Sequence, residues 1–179
     1  MAGTDATDFY EAANELLTAG AQALDTLVAL GLDGAPARQY VSAGEPAADC
    51  VQLTVHTPGV DQAPTEAGLQ MGRQAGRHIM LNHVTLVLTL FRCVPVPDEG
   101  IHGITPPSEA EEAAASQQLY ADGWALWNHL FNMVGADLLF RKCSGVFPGP
   151  LRALPQEGGF GGWFFPFTVV LDGYEETLP

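Results

Sequence analysis

A chain of 179 residues, 47% hydrophobic and 16% charged, is long enough for one domain around a single buried core. It carries 21 acidic and 7 basic residues, a net charge of −14, and Lys142 is its only lysine. That balance excludes an affinity for nucleic-acid phosphates, which takes clustered Lys and Arg, and the scarcity of charge favours surface hidden in an oligomer.

Residues 7–30 read as a helix, with Phe9, Ala13, Leu16, Leu17, Leu24, Leu27 and Val28 recurring at three and four. Thr4, Asp5 or Thr7 can cap its start, and Gly31 suits a left-handed C-terminal position. Residues 38–42 are a short strand candidate, followed by a turn at Gly44-Glu45-Pro46. Residues 49–57 alternate: Val51, Leu53 and Val55 face one way, Cys50, Gln52, Thr54 and His56 the other. This predicts a half-buried strand that stops at Pro58-Gly59. Residues 60–76 have no period and carry Pro64, Gly68, Gly72 and Gly76, which predicts a long loop or arm. Residues 77–94 form the longest strand candidate, apolar on both faces and therefore central in a sheet.

The Pro-rich residues 95–107 read as a linker. Ser108 and Glu111 then make a capping box that opens a helix reaching residue 134. Its expected buried stripe is Leu119, Gly123, Leu126, Trp127, Leu130, Phe131 and Val134. Tyr120 and Trp124 lie off the centre of that stripe and are candidates for meeting another subunit. Residues 138–143 and 160–171 are predicted strands, the second with Pro166 at an edge or bulge, and residues 174–179 are an acidic tail. The order predicts an α+β fold of mainly antiparallel β-sheet, with an N-terminal helix and a long central helix packed against it.

The residues that carry chemistry do not assemble in the sequence. His56, His78, His83, His102 and His129 include no HExxH and no i, i+4 pair, so they read as polar-face or core histidines rather than metal ligands. Cys50, Cys93 and Cys143 are far apart and odd in number, and the opening residues are acidic, unlike a secretory leader. The expectation is reduced, mostly buried thiols in an intracellular protein. The longest apolar stretch, residues 84–91, is far short of the ~18 residues of a membrane span.

Cys143-Ser144-Gly145 is no nucleophile elbow, and Asp122, Asp137 and Glu157 are scattered carboxylates without a visible partner. Residues 157–162, Glu-Gly-Gly-Phe-Gly-Gly, lack the Lys and Ser/Thr of a phosphate loop and precede a strand. They read as a hinge or subunit contact that presents Trp163. The expectation is a protein that works by shape and contact, not an enzyme, with no catalytic, cofactor or metal site. His83, Thr85 and Arg92 are the residues that a ligand-binding reading would use.

The layout of helix, strand pair around a long loop, second helix and closing strand, with residues 149–152 (Gly-Pro-Leu-Arg) and the glycine-rich run to Trp163, resembles the tail terminator family of long-tailed bacteriophages, in the form found in phages of actinobacteria. The resemblance covers most of the chain as one domain, with an arm near residues 58–76 and a linker near 95–107. It implies a structural virion protein: a homo-oligomeric ring, a hexamer, at the head-proximal end of the tail tube. Such a ring ends tube polymerisation, contacts the tail tube protein and joins the tail to a head–tail connector or head-closure protein. DNA passes through its lumen without specific binding, and assembly takes place in the bacterial host cytoplasm. Asp61, Glu66, Met71 and Arg73 on the arm, Tyr120 and Trp124 on the helix, and Glu157, Phe160 and Trp163 at the hinge are then the candidate subunit or tube contacts. The alternatives are another neck or tail component, either a head-closure protein or a tail tube subunit, and beyond these a small α+β enzyme or ligand-binding protein.

Overall fold

The leucines that recur at helical spacing near the N-terminus build α1 (Ala6–Asp25), which tightens into a single 3₁₀ stretch (Thr26–Leu30). Gly31 closes it in the left-handed region at φ 74°, as the sequence predicts. This computed structural model describes residues 6–64, 78–100, 103–157, 159–171 and 175–176. The strands are β1 (Arg38–Ser42), β2 (Gln52–Pro64), β3 (His78–Cys93), β4 (Asp98–Gly100) and β5 (Gly103–Thr105). After α2 (Glu109–Gly135) come β6 (Gly145–Pro148), β7 (Arg152–Glu157), β8 (Phe160–Leu171) and β9 (Glu175–Glu176).

Among the described residues, one sheet has the order β1-β2-β3-β8-β6, with β7 also on β8 and β9 on β3. Only β1 and β2 run parallel in it; the other pairs are antiparallel. The α+β class and the positions of both helices are as expected. So is the central place of β3, which is bonded to β2 on one side and β8 on the other. Leu53, Val55, Leu86, Leu88, Leu90, Phe165 and Phe167 form one core with Leu16 and Leu24 of α1 and Leu126 and Leu130 of α2.

Five expectations need correction. The strand predicted to stop at Pro58 runs on to Pro64, because a register shift between His56 and Gly59 absorbs the Pro-Gly pair and pairing with β3 resumes. The strand predicted over 138–143 does not form. Asp137 and Phe140 take positive φ values of 54° and 61°, and Leu139 and Phe140 both turn inward where a strand would alternate them. Residues 152–157, for which the sequence predicts no strand, are strand β7, and the hinge read over 157–162 is where β7 pairs back onto β8, with Glu157 opposite Phe160 and Gly159 at φ 84°. The linker carries the small β4–β5 hairpin. Finally, Cys50 and Cys93 are bonded as a disulfide with Cα atoms 5.0 Å apart, so two of the three cysteines are not reduced thiols.

Pro166 sits inside β8 without breaking it. Its carbonyl accepts from the Gly149 N–H at 2.8 Å, so the side of Pro166 that lacks a donor faces the break between β6 and β7.

The second face of β2 is also covered: Gln52, Thr54 and His56 are buried along with Thr89 of β3, where the alternation predicts a half-buried strand. Burial holds the His56 imidazole below its ordinary value of 6.5, with the nearby Glu45 carboxylate opposing the shift. The unfolded chain therefore takes up a proton near pH 6.5 that the folded chain refuses until lower pH. Stability from this group is complete above that pH and declines as pH falls through the interval below it. A melting series should show the decline, and His56→Gln should flatten it; identical slopes for both proteins would reject the assignment.

Candidate functional site

The first turn of α2 is set by Ser108, whose hydroxyl accepts from the Glu111 N–H while the Glu111 carboxylate accepts from the Ser108 N–H at 2.9 Å. The Ser108 hydroxyl, 2.7 Å from the same carboxylate oxygen, and the Ser108 N–H hold the Glu111 carboxyl below its ordinary value. The inner face of the helix is fixed by two further contacts. Trp163 of β8 donates its indole N–H to the Leu119 carbonyl at 2.7 Å and packs on Gly123, where an added methyl carbon would lie 2.5 Å from the ring. Next to Gly123, Asp122 receives both arms of Arg92 from β3, Nε at 3.0 Å and Nη2 at 2.9 Å.

That ion pair is buried on both sides. Gln118 donates to Asp122 at 2.9 Å and to the Asp33 carbonyl at 3.0 Å, and Arg92 reaches the Gly34 carbonyl at 2.8 Å. Burial pushes the Asp122 carboxyl up, while the Arg92 guanidinium and the Gln118 amide pull it down. The network ties β3, α2 and residues 33–34 together. Asp122 is thus partnered, and Arg92 turns inward as a structural group rather than toward a ligand.

The outer face of α2 is the unusual surface. Tyr120, Trp124, Trp127 and Phe131 follow one another at spacings of four, three and four, and are 77%, 69%, 37% and 49% exposed. The expected stripe placed Trp127 and Phe131 in the core. The positions of the helix that are buried are instead Asp122, Gly123, Ala125, Leu126 and Leu130. The aromatics form a ridge about 16 Å long at 1.5 Å per residue. Trp127 stacks on Phe131 at 5.1 Å and on the buried Phe165 at 5.7 Å, which anchors the ridge to the core. Beside it, a cleft of about 440 Å³ is lined by Leu27, Leu30, Trp124, Ala125 and Met133.

Between Ala113 and Gly135 the only charged residue of α2 is Asp122, which is buried in its ion pair. The ridge therefore carries no formal charge on a chain whose net charge is −14. A chain this acidic with one face free of charge and rich in aromatics has the composition of an interface core.

The predicted contact residues separate into four groups. Tyr120 and Trp124 are on the ridge. Trp163 is half-buried and committed to α2 and the core, and Phe160 is half-buried in β8 opposite Cys93, so neither stands out as a reaching group. Glu157 lies on β7 at the turn into β8, and Asp61 on β2 opposite His83. Glu66, Met71 and Arg73 lie outside the described residues. His83 and Thr85, the ligand-binding candidates, are half-buried on β3 and apart from the inward-turned Arg92. The sequence reading missed Trp127 and Phe131 as surface residues, although their three-and-four spacing from Tyr120 and Trp124 is visible in it.

Among the described residues no group of three or more His, Cys, Asp or Glu is placed to hold a metal ion, and no helix is long and apolar enough to cross a membrane. No known protein-family model matches the chain, and no curated protein matches it.

Proposed function

We propose that this chain is a structural subunit that assembles with copies of itself into a ring, in the manner that its resemblance to phage tail terminators implies. In that reading the ring caps the head-proximal end of a tail tube, ends its polymerisation and joins it to the head-side connector. The observation that supports self-assembly best is the uncharged aromatic ridge Tyr120–Trp124–Trp127–Phe131. Left in water, it is a liability for a monomer; covered by a neighbour, it contributes apolar burial at roughly 25 cal/mol per Å². The net charge of −14 fits a lumen that lets DNA slide without adhering.

Negative-stain electron microscopy of the purified chain tests the reading. Closed rings of one diameter with a central channel are the expected result. Long tubes would transfer the assignment to a tail tube subunit. Particles no larger than a few copies, at micromolar concentration and physiological salt, would overturn the ring.

A further inference from the structure

We infer that the outer face of α2 is a helix-pairing seam, and that its occupant is the same helix of a second copy running antiparallel. The four-three-four spacing of Tyr120, Trp124, Trp127 and Phe131 is that of alternating a and d positions, continued by Gln117 before and Val134 after. A second helix can pack along such a line. The inner face already packs on the sheet through Gly123, Leu126 and Leu130, so the seam is a second apolar face on one helix. A helix that is apolar on both sides is one that is covered on both sides.

Charge selects the partner and its direction. A strongly basic partner would be recognised through carboxylates, and the ridge presents none. Two copies with a net charge of −14 each repel, and the aromatic face is where they can approach without facing carboxylates. In a parallel pair the clusters Glu109, Glu111 and Glu112 would meet at one end. In an antiparallel pair each cluster lies beside the uncharged C-terminal half of the other helix, away from the other copy's cluster. Tyr120 then sits opposite Phe131, and Trp124 opposite Trp127, across a two-fold axis.

The area is sufficient. At ~200 Å² per aromatic side chain, the four exposed fractions leave roughly 450 Å² outside on each copy. Two copies together offer about 900 Å² before flanking residues are counted, near the ~1,000 Å² of a specific interface. The contact is isologous and closes on itself. It therefore stands apart from the ring, which needs a separate head-to-tail contact; with both, two rings join through their α2 faces.

Sedimentation of the full chain, wild type and Trp124→Glu, tests the seam, with circular dichroism to confirm the fold. Trp124 is mostly exposed, so the variant should fold. The expected result is a two-copy step in the wild type that weakens on the order of 100-fold in the variant. Direction is read by cross-linking: an equimolar mixture of Tyr120→Cys and Phe131→Cys chains should form a disulfide between the two variants, and neither variant should do so alone. A wild type that stays monomeric at ~100 μM would overturn the seam. So would an unchanged assembly in Trp124→Glu, or Tyr120→Cys joining to itself. Rings that still join face to face in Trp124→Glu would reject the seam and keep the ring, whereas single rings in the variant and joined rings in the wild type would support both. Pairs lost in that variant, with no rings in the wild type, would keep the seam and reject the ring.

Discussion

Asp122→Ala is expected to lower stability by about 3–5 kcal/mol, because it strands the Arg92 guanidinium in the core. The side chains of Arg92 and Asp122 are 6% and 0% exposed, so water cannot replace the lost carboxylate. Arg92 would keep only backbone carbonyls at Asp33 and Gly34, and Gln118 would lose one of its two acceptors. In a chain of this size the melting temperature should fall on the order of 10 °C. Replacing both partners by apolar groups, Arg92→Met with Asp122→Leu, should recover most of the loss, since an uncompensated charge and not the missing attraction sets the penalty. Denaturant midpoints at constant m check both variants. A double variant as unstable as Asp122→Ala would show that the network contributes more than charge neutralisation.

Gly162→Ala should cost about 3 kcal/mol or more through overpacking against backbone. A methyl group at Gly162 would overlap the Leu90 carbonyl, with the Phe91 Cα 3.2 Å away. Backbone cannot rotate aside as a side chain does. Strand β8 would have to lift from β3, taking Trp163 off Gly123 and loosening α2 as well. Gly135→Ala is the control: nothing lies within 4 Å of its added methyl group, and the helix should gain up to ~1 kcal/mol. Gly123→Ala should fall between the two, since the indole clash is partly offset by that same helix preference. Thermal melts that rank the three differently would mean that the β3–β8 spacing adjusts more freely than the packing indicates.

Elements announced by periodicity or capping were legible from the sequence. The leucine spacing of α1, the Ser108–Glu111 box, the length of β3 and the alternation of β8 all reappear at nearly the expected bounds. What was not legible depends on three-dimensional register. Cys50 and Cys93 are 43 residues apart. They become opposite partners only once Gln52 is known to face Phe91, because the same offset carried two residues further brings them together. The false strand at 138–143 has the right residue types, but positive φ at Asp137 and Phe140 is a local backbone choice that residue type does not announce. The Phe140 N–H instead donates to Glu15 of α1 at 3.0 Å.

The ridge was half legible. Tyr120 and Trp124 were separated from the core stripe by spacing, whereas Trp127 and Phe131 were assigned to it. A helix with apolar residues on opposite faces gives no direction by hydrophobicity alone. The facing is decided by shape and charge instead: Gly123 fits the Trp163 ring, and Asp122 must reach Arg92. Those two contacts leave Tyr120 and Trp124 outward and set Trp127 at the border of the core, stacked on Phe165.

The Cys50–Cys93 bond also changes what a cut in the chain means. It brackets β2, β3 and everything between them within one covalent loop. A single proteolytic nick anywhere inside that loop leaves both fragments attached. The nicked protein keeps its mass, apart from one added water, and can keep its place in an assembly, and only a thiol reductant releases the pieces. Integrity of the polypeptide and integrity of the particle are thereby separate properties in this protein.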